Sequence, residues 1–337
     1  MSQPRGDRRV AVVVLNYNGL EDTLLCLASL RAIDGPAPLV ILVDNASTID
    51  PTDEAHRAYP GLEAIRTREN LGYAGGNNRG IERALASGAD YVLVLNNDTV
   101  VAPSILNELV AAFEADPSLG ILGPVVNFLD ERDAVMTDGV RFNPGPGTEF
   151  FQRIVVPVAP TGAAAIAPVP VDIVNGCCLM VSGQVVKAIG MFDEQFFIVH
   201  EESDFCLRAN RAGFACGVLG RSLVWHKGSS AFDRSGRRLQ RYFDARNLLH
   251  LLRRHTGRVG CSRGLSASTW HYLKYAFYRY EVEREAGKLP AARAVADGVY
   301  DAFRGKWGPY PATSGAGKAA MGAAFAALYR LARLKRA

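Results

Sequence analysis

Apolar residues recur in short β-branched runs through the first hundred positions, at 10–16 (VAVVVLN), 39–44 (LVILVD), 62–66 (LEAIR) and 90–96. Such runs predict strands buried on both faces of a parallel sheet. Between them the spacing changes to that of helices. Residues 20–32 carry Leu20, Leu24, Leu27 and Leu30 on one face, and 78–88 and 103–115 repeat the pattern, the last opening with Pro103 as a first-turn residue. Alternating strands and helices predict an α/β layered domain that binds its ligand at the carboxyl ends of the strands. Polar residues gather at those ends: Asn16-Tyr17-Asn18-Gly19, Asp44-Asn45-Ala46-Ser47 and Asn96-Asn97-Asp98.

Residues 128–170 are rich in Pro, Gly and Ala and read as an insertion of short strands and loops. A second ordered block, 171–227, predicts a strand at 171–181, a short helix at 183–189, a helix at 202–213 and two further strands. Helical patterns then fill 238–255, 265–285, 290–304 and 317–336, with no internal repeat. The expected division is a catalytic α/β domain over 1–230 and a mainly helical region over 231–337.

Composition places the 337-residue chain among ordinary globular proteins, with 48% hydrophobic and 21% charged residues. The six cysteines form no Cys-x-x-Cys pair and sit in apolar stretches, which predicts reduced thiols and a cytoplasmic setting. Neither a signal peptide nor a membrane-spanning run is expected. Charge is unevenly spread. Residues 1–226 hold 16 Lys and Arg against 27 Asp and Glu, whereas 227–337 hold 22 against 7. A basic third of this kind is either a solvated surface or one that faces phospholipid, nucleic acid or a diphosphate-linked acceptor.

Four places carry candidate chemistry. The stretch 70–80 (NLGYAGGNNRG) brings four glycines up to a helix start, so it fits either phosphate approach or a ligand-free turn. Asp98 follows a buried strand, where a carboxylate needs a cation, a ligand or water, or else caps the helix near Pro103. Glu201, Glu202 and Asp204 crowd three carboxylates into four positions, which suits either a general base with a raised pKa or a helix N-terminus that attracts acids. His226 ends a predicted strand, as a structural imidazole or a metal ligand.

Taken in order, VVVLNYNG, LVDNAST, ENLGYAGGNNRGI, YVLVLNNDTVV, VNGCCLMV, GMFDEQFFIVHEESDFCLRANRAGF and VWHKGSS resemble the family-2 glycosyltransferases, especially bacterial rhamnosyltransferases of cell-surface polysaccharides. They fall in order between residues 10 and 230. The resemblance implies a GT-A fold with a central, mostly parallel sheet, a UDP- or dTDP-linked sugar donor, a divalent cation (Mn²⁺ or Mg²⁺) and inversion at the anomeric carbon. By position it puts Asn16, Tyr17 and Asp44 on the base and ribose, with Gly72, Asn77 and Asn97 near the donor. It makes Asp98 and His226 metal ligands and Glu202 the catalytic base. Two departures stand out: the family's Asp-x-Asp reads Asn96-Asn97-Asp98, and a glutamate fills the base position more often held by aspartate.

The resemblance also implies a saccharide or lipid-linked acceptor and no nucleic-acid partner, with a second copy of the chain as a further candidate partner. Competing readings are a nucleotide-sugar-binding subunit with little turnover and a nucleotidyltransferase. A nicotinamide dehydrogenase is disfavoured because the first βα turn, NYNGLED, lacks the glycine fingerprint. In the last helix Met321, Phe325, Leu328 and Ala332 share a face flanked by Arg330, Arg333 and Lys335. That pattern fits either packing on the rest of the chain or peripheral contact with the inner face of a membrane.

Overall fold

The computed structural model describes residues 8–144, 149–160, 166–228, 237–256, 267–311 and 315–336. Ser229 and Ser230, the expected domain boundary at 230/231, Cys261 and parts of the 128–170 insertion lie outside the described residues. In chain order the first elements are β1 (Val10–Asn16), α1 (Leu20–Arg31), β2 (Leu39–Asp44), α2 (Thr52–Ala58), β3 (Glu63–Arg66), α3 (Gly72–Ala86) and β4 (Tyr91–Asn96). The next are β5 (Thr99–Val101), α4 (Ile105–Ala115), β6 (Leu119–Phe128), β7 (Val135–Thr137), β8 (Gly139–Phe142) and β9 (Phe151–Ile154). After these come β10 (Val169–Val171), β11 (Cys178–Ser182), α5 (Gly183–Ile189), α6 (Glu201–Arg211) and β12 (Ala215–His226). Four helices follow: α7 (Arg238–His255), α8 (Ala267–Glu285), α9 (Leu289–Arg304) and α10 (Ala316–Arg336).

Two compact units result, one of Met1–Phe142, Gln152–Glu194 and Glu202–Gly228, the other of Asn143–Phe151, Gln195–Glu201 and Ser229–Ala337. The second unit therefore takes two short segments from within the first 230 residues. The first unit is built on a ten-stranded sheet whose main path runs β10-β12-β6-β11-β4-β1-β2-β3. The β4-β1-β2-β3 half is all parallel. Val12, Val13, Val14, Val40, Ile41, Val43, Leu93 and Val94 are fully buried there, as unbroken apolar runs require. Beyond β4 the sheet is mixed: β11 is antiparallel to β4 and β6, and β12 is parallel to β6.

Three expectations change. The helix expected at 78–88 begins at Gly72, so the glycine-rich stretch lies inside α3 instead of before it. A Cβ on Gly76 would overlap the Leu15 side chain and one on Gly80 that of Val13, so these glycines let the helix press onto β1. The strand expected at 171–181 divides into β10 and β11, because the chain leaves the sheet between them in a turn where Asn175 Oδ1 accepts from the Cys177 amide (2.8 Å). The two strands expected after 213 are one long strand, β12, with register shifts between Leu219 and Val224.

In the helical unit, Tyr272 Oη donates to the Ala245 carbonyl (2.6 Å), and Arg241 pairs with Glu283 inside it (2.5 Å). Lys318 is buried against Asp301 (2.5 Å), which also accepts from Tyr242 Oη (2.7 Å). Phe325 packs on Phe277 and Tyr280, so this part of the apolar face of α10 is core. Leu328, Leu331 and Leu334 remain exposed. No helix among the described residues is long and apolar enough to cross a membrane. The five described cysteines are free and buried.

Candidate active site

The parallel register aligns the polar strand ends. Asn16 stands opposite Asp44, and Leu15 opposite Asn96, so residues 16–19, 44–47 and 96–98 emerge side by side. Asn16 is 1% exposed and spends its side chain on neighbours. Its Nδ2 donates to Asp44 Oδ1 (2.9 Å) and Ser47 Oγ (3.0 Å), and its Oδ1 accepts from Thr23 Oγ1 (3.0 Å) and the Gly19 amide (3.2 Å). Asn97 also turns inward, donating to Gly19 O (3.1 Å) and Thr23 Oγ1 (2.9 Å). Both amides thus fix the first loop, while Tyr17 is the exposed member. Asp44 gains a cation the sequence reading missed: Arg66 at the end of β3 lies 3.5 Å from Oδ2, and also holds Asp50 (2.7 Å) and the Ser47 carbonyl (2.9 Å). The β2/β3 register, which pairs Asp44 with Arg66, brings the two together.

Asn45 ties the third βα loop to this edge by donating to Asn70 Oδ1 (3.0 Å) and Gly72 O (2.9 Å) and accepting from the Leu71 amide (2.9 Å). Asn77 is fully buried in α3, with Nδ2 on the Tyr73 carbonyl and Oδ1 without a hydrogen-bond partner.

Asp98 occupies the turn from β4 to β5 and caps no helix, because α4 starts at Ile105 behind Ser104. The β5/β12 register pairs Thr99 with His226 and so brings that imidazole to Asp98, Nε2 to Oδ1 3.0 Å. The two side chains are 14% and 12% exposed. The other imidazole nitrogen, Nδ1, faces Met136 Sδ at 3.3 Å. Among the described residues no three His, Cys, Asp or Glu side chains converge as a metal cage. Burial pushes the Cys26 thiol up to about 12 and the Cys177 and Cys178 thiols also upward. One carboxylate and one imidazole suit a hard or borderline divalent ion that completes its shell with substrate phosphates and water.

The acidic trio separates on α6. Asp204 is fully buried and paired with Arg208 (2.7 Å), whose guanidinium also binds the Ile189 and Met191 carbonyls (2.7 and 2.6 Å). Mutual repulsion of three free acids is therefore not what the fold presents. Glu201 is 4% exposed, whereas Glu202 is half-buried and accepts from Ser203 Oγ (3.1 Å). A Cβ on Gly176 would lie 3.4 Å from the Glu202 Cβ and Cγ and from Tyr73 Oη. Tyr73 donates that hydroxyl to Gly176 O (2.5 Å), and the next carbonyl, Cys177 O, accepts from the Asn96 amide (2.9 Å). Turn 175–177 thus borders both Glu202 and the strand end that carries Asp98. Tyr73 was not singled out from sequence, where it lies within the glycine-rich stretch 70–80.

With this geometry in view, comparison with known proteins identifies relatives. The model of glycosyl transferase family 2 matches residues 11–169, and that of glycosyl transferase family group 2 matches residues 91–292, more than half of the chain. A low-salt glycan biosynthesis hexosyltransferase of Haloferax volcanii is 29% identical over 212 residues, 62% of this chain and 64% of the relative. The chain thus matches just under two thirds of that protein's length. An N-acetylglucosaminyl-diphospho-decaprenol L-rhamnosyltransferase of Mycobacterium tuberculosis is 28% identical over 232 residues, 64% of this chain and 75% of the relative. Among solved structures, a mannosyltransferase of Pyrobaculum calidifontis in complex with GDP-Man and Mn²⁺ superposes with a TM-score of 0.52 at 18% identity, covering 97% of this chain and 84% of that one.

Proposed function

The chain belongs to glycosyl transferase family group 2 and has the GT-A type of fold, and from that premise we propose that it is a metal-dependent, inverting glycosyltransferase. It moves a hexosyl or rhamnosyl residue from a UDP- or dTDP-linked donor to an acceptor hydroxyl in glycan synthesis. The observation that carries this reading is Glu202: of the three neighbouring acids it alone is half-exposed, beside the turn that hydrogen-bonds to the Asp98 strand end.

In this reading Tyr17 and Asp44, the latter oriented by Asn16 and Arg66, hold the base and ribose. Asp98 and His226 hold a divalent cation, which when bound stabilises negative charge growing on the leaving diphosphate. Glu202 takes the proton of the acceptor hydroxyl as its oxygen attacks the anomeric carbon. The sugar C1–O bond breaks on the opposite face, and its electron pair leaves with the nucleoside diphosphate. One displacement inverts the centre without a covalent sugar-enzyme intermediate.

Two relatives' names bear on the partners. The mycobacterial protein is named for transfer of L-rhamnose to a sugar on diphospho-decaprenol, and the Haloferax protein for hexosyl transfer in glycan synthesis. A lipid-linked saccharide is accordingly the proposed acceptor. A thermal-shift screen of UDP, dTDP, GDP and their sugars, with and without Mn²⁺, tests the donor class. A true donor at a hundredfold excess over its dissociation constant stabilises the fold by about 2.7 kcal/mol. No Mn²⁺-dependent shift from any of them would remove the reading.

A lipid-linked acceptor stays at a membrane, and exposed Leu328, Leu331 and Leu334 beside Arg330 and Arg333 give α10 the make-up of an interfacial helix. The expected behaviour is salt-sensitive co-sedimentation with anionic but not neutral vesicles, lost on truncation before Gly315. Equal partitioning of full and truncated chains would exclude α10 as the anchor.

A further inference from the structure

Immediately before Glu202 the backbone adopts a conformation that its residues do not favour. Phe197, Val199 and His200 have φ of 64°, 73° and 75°, three of the six non-glycine residues with positive φ among those described. For a β-branched residue such as Val199 this region is a genuine outlier. Strain of this kind persists only where the surroundings over-determine it, and it concentrates at functional sites.

Here the surroundings are one face of α7. The Asn247 amide, fully buried, donates to the Phe196 and Ile198 carbonyls (2.9 Å each) and the Val199 carbonyl (2.7 Å). Its own oxygen accepts from Arg246 Nε (2.8 Å), which fixes which end of the amide faces the segment. Arg246, also fully buried, adds Nη2 bonds to the Phe196 and Gln195 carbonyls (2.8 and 3.3 Å). Phe197 stacks on Phe243, 5.5 Å between centroids. At the far end of the segment, His200 Nε2 meets Asp244 Oδ1 (3.1 Å) while its ring stacks on Phe151. Tyr275 (2.9 Å) and Arg279 (3.9 Å) engage the second oxygen of Asp244. Burial opposes ionisation of Asp244, but His200, Arg279 and Tyr275 outweigh it and hold the carboxyl below its usual range.

Five consecutive positions of α7, 243–247, therefore supply four side chains that grip residues 195–200, and α6 begins at the next residue. A segment held only for packing has no need of three left-handed residues. We propose that Asn247, with Arg246 and Asp244, is a positioning device for Glu202: it holds the Phe197–His200 backbone in its strained form and thereby sets the first turn of α6 and the direction of the Glu202 carboxylate. The proposal rests on the reading of Glu202 as the general base. It separates turnover from donor affinity, because the groups assigned to the donor and its cation, Tyr17, Asp44, Asp98 and His226, lie outside residues 195–200 and α7.

The test uses the full chain and the Asn247→Ala variant, with two independent readouts. By hydrogen exchange, amides of residues 196–206 should exchange at least about tenfold faster in the variant, while strands β4 and β11 stay protected. In transfer assays with dTDP-L-rhamnose, Mn²⁺ and a short-chain polyprenyl-diphosphate N-acetylglucosamine, kcat should fall about tenfold or more while the donor KM stays within about twofold. Adding Val199→Gly to Asn247→Ala should restore at least about threefold of kcat, because glycine adopts this φ without steric cost. Unchanged kcat per folded molecule, or loss of kcat without rescue by glycine, would overturn the positioning role. Should Asn247→Ala not fold, Asp244→Asn, which weakens the His200 end of the segment and leaves the Asn247 bonds in place, should show the same pattern at about threefold. If the parent chain transfers nothing from this donor, the reading of the site fails separately, and unchanged exchange over 196–206 still overturns the clamp.

Discussion

In Glu202→Gln protein, transfer is expected to fall by roughly 10²–10⁴-fold with donor affinity unchanged, because the amide keeps the shape of the side chain and cannot take a proton. The geometry sharpens the comparison with its neighbours. Asp204 is the residue sequence would nominate next, but it is fully buried against Arg208, so Asp204→Asn should act on stability. Removing one partner of a buried ion pair costs about 3–5 kcal/mol, which is large enough to lower the melting temperature plainly. The measurements are kcat and donor titration for Glu202→Gln, and thermal unfolding for Asp204→Asn. Near-normal turnover in the first variant, with lost turnover per folded molecule in the second, would transfer the base assignment to Asp204.

The parallel half of the sheet was legible because its strands are unbroken apolar runs separated by helical spacing, and β1, β2 and β4 fall where those runs lie. β6 was not legible. Gly120, Gly123 and Pro124 punctuate it, yet a Cβ on Gly123 would lie 2.6 Å from Val174 Cγ1 and 2.8 Å from the Cys178 carbonyl, so this glycine serves close strand approach. Pro124 is tolerated where the β12 pairing shifts register after Leu219. Within 70–80, Gly76 and Gly80 likewise serve close packing, here of α3 on β1.

At the candidate site, sequence supplied the residue types at the strand ends but not the division of labour among them. Asn16 and Asn97 were assigned to ligand by position, and the structure shows both amides committed to protein partners. Arg66 and Tyr73 act through contacts 22 and 103 positions away along the chain, Asp44 and Gly176, and no local pattern announces them. The positive φ values at 197–200 are invisible to composition, since phenylalanine, valine and histidine are not the residues that left-handed backbone favours.

Asp98→Ala should separate metal binding from base binding. The family's motif begins here with Asn96, so in the proposed reading one carboxylate, Asp98, holds the cation with His226, which lies 3.0 Å from it. With two protein ligands, most of the coordination shell comes from substrate and water, and affinity for the ion and for the diphosphate become mutually dependent. In calorimetric titrations of dTDP or UDP, whichever binds the parent chain, added Mn²⁺ should tighten binding. The variant should lose at least the ~10–100-fold that even an outer-sphere partner contributes to metal affinity. Binding measured without metal should change little, since Asp44, Arg66 and Tyr17 are untouched. Transfer should fall by about 10³-fold, the rate equivalent of several kcal/mol of leaving-group stabilisation. His226→Gln should show the same signature in weaker form, because an amide oxygen can still reach a hard cation where the imidazole nitrogen stood. If Mn²⁺ tightens nucleotide binding equally in parent and Asp98→Ala protein, Asp98 is not a metal ligand, and its 3.0 Å bond to His226 is a structural contact that closes the β5/β12 edge.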